Sequence, residues 1–572
     1  MTYRPRRVKA PRVAGGSLRV AARLAEGRLT GGLLAGTLLR SAGVFELRAA
    51  PVEAPHPAHP PGMPPVRAAT EEAVVAAEAE GEIERLAAAR GPGFRFETAA
   101  DFAAAYRDGR STPEEVAERV LEARRRLDAA SPALRAFLAQ SADDVRAQAR
   151  ESSARWRAGR PLSRLDGVPV AVKDEVDQRG YPTTVGTRFL GREPAARDAA
   201  AVERLRAAGA LLVGKANMHE IGLGVTGLNP HHGPARNPYD PTRVTGGSSS
   251  GPAAAVAAGL CPLALGADGG GSIRIPAALC GVVGLKPTYG RVSERGAAPL
   301  CWSVAHLGPL GATVADAALG FVIVAGPDPE DPNSLGHPAP SLEGAADEGL
   351  AGLRLAVVPG WFEHADEAVV RVCREALDRL RAAGASIVER EPHGLDLDLV
   401  RPVHLVTIVS EMAAAHLAHD GRHRREYAAD TRLNLALARR LTAVDYIHAQ
   451  RHRVRIGGAV AALLDGVDGL VTPATGCTAP PLRADALRSG ESDLETTERI
   501  MRFAPLANLT GLPAIAVPAG YDPDGLPVGL QIVGHAWREA VLLRVARVVE
   551  AGVERCPPKV HVRLLDAEVP PG

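Results

Sequence analysis

Between residues 245 and 281 the chain reads TGGSSSGPAAAVAAGLCPLALGADGGGSIRIPAALCG. No other stretch restricts the fold so tightly. Two small-residue loops, 246–251 and 266–272, bracket an Ala-rich helix beginning near Pro252 and a short apolar strand over 260–265. The strand delivers the chain into Ala267-Asp268-Gly269-Gly270-Gly271-Ser272. Three successive glycines carry no side-chain bulk, so several backbone N–H groups can converge on one point. A serine closing that turn stands where those groups could stabilise an oxyanion made by its own attack. Spacing alone leaves three readings open: a nucleophile loop, an anion-binding nest, or a plain turn. No Gly-Lys-Ser/Thr follows, so the phosphate loop of nucleotide enzymes is not matched.

A serine nucleophile needs a base. Gly247-Ser248-Ser249-Ser250-Gly251 has the G-x-S-x-G form of the α/β-hydrolase elbow, which would make Ser249 the nucleophile. That elbow requires an apolar strand before it, and the preceding NPYDPTRVT contains two prolines and an asparagine. The other candidate base is Lys173, at the end of the run GVPVAVKD. Desolvating an ammonium is costly, so burial after an apolar strand would favour the neutral amine, a general base. The plainer alternative is a lysine paired with Asp174 or Asp177 at a strand end.

Around this segment the pattern is that of an α/β sheet. Apolar runs at 168–172, 210–213, 469–473 and 514–518 alternate with helical patterns at 202–208, 368–383 and 537–553. The stretch from 70 to 155 reads as helical, with Thr112, Pro113 and Glu115 as N-cap, first helical residue and capping-box acid of a helix to about Leu127. Residues 400–460 are helical and rich in His and Arg; a Pro-rich patch at 327–340 marks an insertion or subdomain edge. His416, His419 and His423 follow Glu411, but no H-E-x-x-H occurs, and solvated helix surface is the expectation.

Charge matters mainly at the amino terminus. With 67 Lys+Arg against 66 Asp+Glu, nothing in the total suggests a nucleic-acid partner. Residues 1–45, however, hold nine Lys/Arg and one acid, Glu26. The longest uncharged run there, 29–39, is too short to span a bilayer. A basic amphipathic helix pair is expected, with Leu18, Ala21 and Leu24 on one face, resting on a membrane surface or packed on the body of the protein. The Pro-rich stretch over 51–66 cannot be helical. Six scattered cysteines without a C-x-x-C pair fit buried thiols in a reducing compartment.

GVPVAVKD, Gly247-Ser248-Ser249 and Gly269-Gly270-Gly271-Ser272-Ile273-Arg274 together resemble the amidase signature family. The spacing agrees, with 75 residues from Lys173 to Ser248 and 24 from Ser248 to Ser272. Within that family the text is most similar to plant-type fatty acid amide hydrolases, through GKANMHEIGLGVTG (214–227), ADTRLNLALARRLTAVDYIHAQ (429–450) and RADALRSGESDLETTERIMRF (483–503). Ala267, where most relatives have threonine, and Pro252, where they have a small residue, depart from the pattern without touching Lys173, Ser248 or Ser272.

The resemblance implies an α/β amidase-signature fold, a mixed central sheet covered by helices on both faces, with an N-terminal helical extension. Its boundaries would be a basic segment over 1–50, a linker over 51–66 and one catalytic domain over 67–572, its signature core at about 165–312. By position Ser272 becomes the acylated serine, Ser248 a bridging serine after a cis peptide, and Lys173 the base. Gly269, Gly270, Gly271 and Ser272 supply oxyanion amides, and Gly222 and Leu223 belong to the substrate pocket. Asp268 and Arg274 flank the glycine loop, where they either pair across it to hold the glycines in place or form an ordinary surface pair. The implied reaction is serine-dependent amide hydrolysis through an acyl-enzyme, with fatty acid amides such as N-acylethanolamines as substrates and neither metal nor organic cofactor. The expected partners are a small acyl amide, a peripheral membrane surface and a second copy of the chain, in the cytoplasm. Two other readings stay open: the A-type glutaminase component of a tRNA amidotransferase, and a non-catalytic membrane-binding protein on a hydrolase scaffold.

Overall fold

The computed structural model describes residues 10–27, 30–50, 72–88 and 91–565. The Pro-rich linker over 51–66 lies outside them. Thirteen strands follow in chain order: β1 (Val13–Ala14), β2 (Phe137–Ala139), β3 (Pro169–Lys173), β4 (Leu211–Ala216), β5 (Leu263–Ala267), β6 (Val283–Lys286), β7 (Leu307–Gly311), β8 (Arg354–Val357), β9 (Ser386–Glu389), β10 (Gly469–Pro473), β11 (Glu491–Ser492), β12 (Ala514–Tyr521) and β13 (Pro527–Gly534). Eleven of them form one sheet in the order β2-β4-β3-β5-β7-β6-β12-β13-β10-β8-β9. It is mixed: β3 runs parallel to β4 and β5, whereas β7 is antiparallel to β5 and β6. Helices cover both faces, so β3, β4, β5, β6, β7, β10 and β13 are buried along their whole length. Such strands read as near-continuous apolar or small-residue runs rather than alternating ones.

The small-residue text now has a packing reason. Helix Ser250–Ala257 is buried at every position, and helix Arg274–Leu279 likewise. A helix with no exposed face has room for little beyond alanine where it lies against a sheet. The register of the parallel pair sets Val172 opposite Leu265. Lys173 and the loop after Ala267 therefore leave the sheet at the same edge, the carboxyl ends of parallel strands where α/β sheets hold ligands.

The capping box at Thr112 and Glu115 starts helix Pro113–Ala129 as read. Several strands were not legible. β2 interrupts a stretch read as wholly helical, and β7 (LGPLG) carries the residues of a turn. Five of the six cysteines are buried and Cys556 is exposed; all are free thiols.

The N-terminal helices Gly15–Glu26, Gly31–Ser41 and Val44–Ala49 pack on the body of the protein. The first buries Leu18, Ala22 and Ala25 against Ala429, Leu433 and Ala436. This corrects the expected stripe of Leu18, Ala21 and Leu24: an i, i+4, i+7 set faces inward, and Leu24 is 43% exposed. Ala35, Leu39, Val44 and Leu47 join a second core with Val400, Val403, Ile456 and Val460. β1 pairs with β11, Arg12 bridges Asp485 and Glu491, and Arg432 holds Glu26 at 2.6 Å. No helix among the described residues is long and apolar enough to cross a membrane.

Within the histidine cluster only His419 and His423 keep part of the exposure expected of a helix surface. His416 is buried with its Nδ1 2.9 Å from the Tyr427 hydroxyl, and His423 stacks on Phe189 at 4.6 Å. Glu411 is buried too, accepting from Ser303 and Tyr446. Among the described residues no group of three or more His, Cys, Asp or Glu is placed to share a metal ion.

Candidate active site

Lys173 ends β3 fully buried, with its Nζ donating to Ser248 Oγ at 2.9 Å. The Gly247–Ser248 peptide is cis. A second contact was not foreseen: Glu175 Oε2 lies 2.7 Å from Lys173 Nζ, and both side chains are buried. The two acids considered as partners sit elsewhere. Asp174 is 3.5 Å from Lys215 and accepts the Gly186 N–H at 3.0 Å. The Asp177 backbone bonds to Gly296 and Ala199. The turn at 174–175 that follows β3 makes the difference, bringing Glu175 back beside Lys173 and sending Asp174 to Lys215.

Ser272 lies 24 residues beyond Ser248, with Ser249 N–H donating to its carbonyl at 3.2 Å. Ser272 lines a cavity of about 150 Å³. Among the described residues no hydrogen bond joins the two serine hydroxyls. Such contacts often close only when substrate is bound. Ser249, the residue of the elbow reading, is fully buried with its Oγ engaged by the Ala267 backbone.

The glycine loop is held from behind. Asp268 and Arg274 form a bidentate pair at 2.9 and 3.0 Å, neither with any exposure. Burial alone would raise the Asp268 carboxyl; the Arg274 charge and hydrogen bonds hold it well below the usual carboxylate range. Arg274 also donates to Asn508, Gln531 and the Ala504 carbonyl, so every arm of the guanidinium is used. The Asp268 carboxylate takes the N–H groups of Gly271 at 2.7 Å and Ile273 at 3.1 Å. The Gly271 amide is thereby committed to Asp268, which removes it from the expected oxyanion set and leaves those of Gly269, Gly270 and Ser272. Gly271 itself has φ +114, and a Cβ at Gly270 would fall 2.6 Å from the His404 ring. Both positions therefore require glycine.

Removing Arg274 strands a buried carboxylate. Arg274→Met is expected to lower stability by about 3–5 kcal/mol, read as a lower thermal midpoint, and to slow reaction of Ser272 with a fluorophosphonate. An unchanged midpoint would show that the pair carries no structural weight.

Gly222 and Leu223 both line the cavity. Gly222 has φ +71, and a Cβ there would approach Leu300 at 3.1 Å and Ser248 Oγ at 3.6 Å. It borders Ser248.

Comparison with known proteins agrees with this architecture. The family model described as Amidase matches residues 118–543. The chain belongs to the amidase (amidase signature) family. This amidase is 39% identical to the "Fatty acid amide hydrolase" of Medicago truncatula over 96% of its own length and 94% of that protein. It is also 39% identical to the A-type component of the glutamyl-tRNA(Gln) amidotransferase of Anaeromyxobacter sp. (strain K), over 74% of its length and 90% of that protein. The native peptide amidase of Stenotrophomonas maltophilia superposes with a TM-score of 0.68 at 30% identity, covering 81% of this chain and 98% of that one. The amidase is a serine amidohydrolase, a hydrolase acting on amides.

Proposed function

We propose that this amidase hydrolyses long-chain fatty acid amides, N-acylethanolamines among them, through an acyl-enzyme. The observation that carries the reading is the cavity at Ser272, walled by Val225, Leu405, Ile408, Val409, Leu494 and Met501. Likeness to fatty acid amide hydrolases over 96% of the chain, N-terminal helices included, supports it; likeness to the amidotransferase component extends over 74%.

In the chemistry we infer, Lys173 takes a proton from Ser248 as Ser248 takes one from Ser272, whose Oγ attacks the amide carbon. The Gly269, Gly270 and Ser272 amides hold the resulting oxyanion. Glu175, 2.7 Å away, stabilises the ammonium that forms on Lys173. The proton passes back through Ser248 to the leaving nitrogen, the C–N bond breaks and the amine departs. Water then attacks the ester, and the same relay returns Ser272 to its hydroxyl form.

Acyl length tests the substrate. Each methylene buried in the cavity contributes up to about 0.8 kcal/mol, about fourfold in kcat/KM. A series of ethanolamides from four to sixteen carbons is therefore expected to rise steeply before levelling; a flat series would remove the fatty-acyl assignment and leave the amidase intact. Membrane contact is tested separately. Val20 and Leu24 point outward, 55% and 43% exposed, on the helix that carries Arg19 and Arg23. Val20→Asp/Leu24→Asp is expected to reduce co-sedimentation with anionic vesicles without disturbing Leu18, Ala22 and Ala25. Unchanged co-sedimentation would exclude this face.

A further inference from the structure

Two buried polar atoms on the cavity wall have no partner. Asp430 starts helix Ala429–Ala438 and is 3% exposed. Its Oδ1 accepts the Thr431 N–H at 2.9 Å, and its Oδ2 has no hydrogen bond. His219 is 5% exposed and its Nδ1 is likewise unpaired. The two side chains face each other with His219 Nε2 3.7 Å from Asp430 Oδ2, too far for a hydrogen bond. Both line the cavity that holds Ser272. Buried polar groups are almost always satisfied, so two unsatisfied ones on residues that line one cavity point to a missing partner.

We propose that His219 and Asp430 form a polar subsite that takes a hydroxyl oxygen of the substrate close to the scissile amide. The proposal rests on the fatty acid amide reading. Position sets how near the hydroxyl must be: the His219 backbone N–H donates to the Ser248 carbonyl at 3.1 Å, so the subsite adjoins the serines rather than the far end of the acyl channel. A hydroxyl a few bonds from the amide carbonyl satisfies this from either side, on the amine as in an ethanolamide or on the third carbon of the acyl chain.

Charge state decides the kind of ligand. Burial, then the neighbouring Glu220, pushes the Asp430 carboxyl up to about 8. Burial, then the nearby Lys173, brings the His219 imidazole down to about 4. Near neutrality the pair is an uncharged carboxylic acid beside an uncharged imidazole, offering one donor and one acceptor. An alcohol, itself donor and acceptor, complements that.

The test compares kcat/KM for isosteric substrates. N-(2-hydroxyethyl)dodecanamide against N-propyldodecanamide reads the amine side. N-propyl-3-hydroxydodecanamide against N-propyldodecanamide reads the acyl side. The wild-type chain is expected to prefer the hydroxylated member of one pair by about tenfold or more, because a site built to bind a hydroxyl rejects the analogue lacking it. Asp430→Ala is expected to bring that ratio close to one, and Asp430→Asn, which still donates and accepts, to keep part of it. Being a ratio, the result does not depend on how far either variant lowers turnover overall. No preference in either pair for the wild type, or a preference that survives Asp430→Ala, would overturn the subsite. The fatty-acyl reading fails differently, by a flat response to chain length among the N-propyl amides, whatever the hydroxyl ratio.

Discussion

Ser272→Ala is expected to abolish amide turnover and covalent labelling by a fluorophosphonate, while Ser249→Ala still labels at residue 272. The expected loss in kcat for Ser272→Ala is on the order of 10⁴-fold or more, since removing the nucleophile leaves only the binding and oxyanion contributions. The two serines lie in the same core and differ in what their hydroxyls meet. Ser272 lines the cavity, whereas Ser249 Oγ donates to the Ala267 carbonyl at 3.1 Å and has no exposure. Peptide mapping of the labelled protein decides between them. A label on Ser249, or turnover retained in Ser272→Ala, would return the elbow reading and end the proposed relay.

Lys173→Met is expected to lower kcat by about 10²–10⁴-fold, the range for losing a positioned general base, with KM little changed because Lys173 does not line the cavity. The buried pair complicates the reading, since methionine leaves the Glu175 carboxylate without its 2.7 Å partner. Leaving a buried acceptor without its hydrogen-bond partner costs about 1–3 kcal/mol, more when it is charged, whereas replacing both halves can be neutral. Lys173→Met/Glu175→Gln should therefore regain much of the lost thermal stability and none of the activity. Recovery of activity together with stability would mean that Lys173 serves structure alone. Glu175→Gln by itself should keep the fold and lose kcat, because the ammonium forming on Lys173 loses its stabilising charge.

Much of the fold is written in local text, and for physical reasons. The capping box of Thr112 and Glu115 is a contact between residues three apart, so four letters are enough to read it. β3, β5 and β10 are apolar runs bounded by turn residues, and the resemblance in GVPVAVKD and GGGSIR carried Lys173, Ser248 and Ser272 to one place. Ser248 within hydrogen-bonding reach of Lys173, 75 residues away, is the clearest instance.

What the text did not disclose depends on partners distant in sequence. β7 holds Pro309 between two glycines and becomes a central strand because β5 and β6 flank it, a pairing with no local signature. Asp268 and Arg274 could be paired from their spacing, but their total burial comes from Asn508 and Gln531, more than 230 residues on. Glu175 could not be preferred to Asp174 or Asp177 as the lysine's partner, because side-chain direction at a strand end is settled by the sheet. The inward face of helix Gly15–Glu26 was likewise chosen by helix Ala429–Ala438, which offers Leu433 and Ala436 to Leu18, Ala22 and Ala25. The sequence by itself determined many of the local elements, since these arise from near neighbours and from backbone limits on glycine and proline, and its resemblance named the candidate residues Lys173, Ser248 and Ser272. Only the tertiary structure decided which groups are buried together and which amides are spent, because desolvation and charge pairing act between whatever the packed chain brings within a few ångströms.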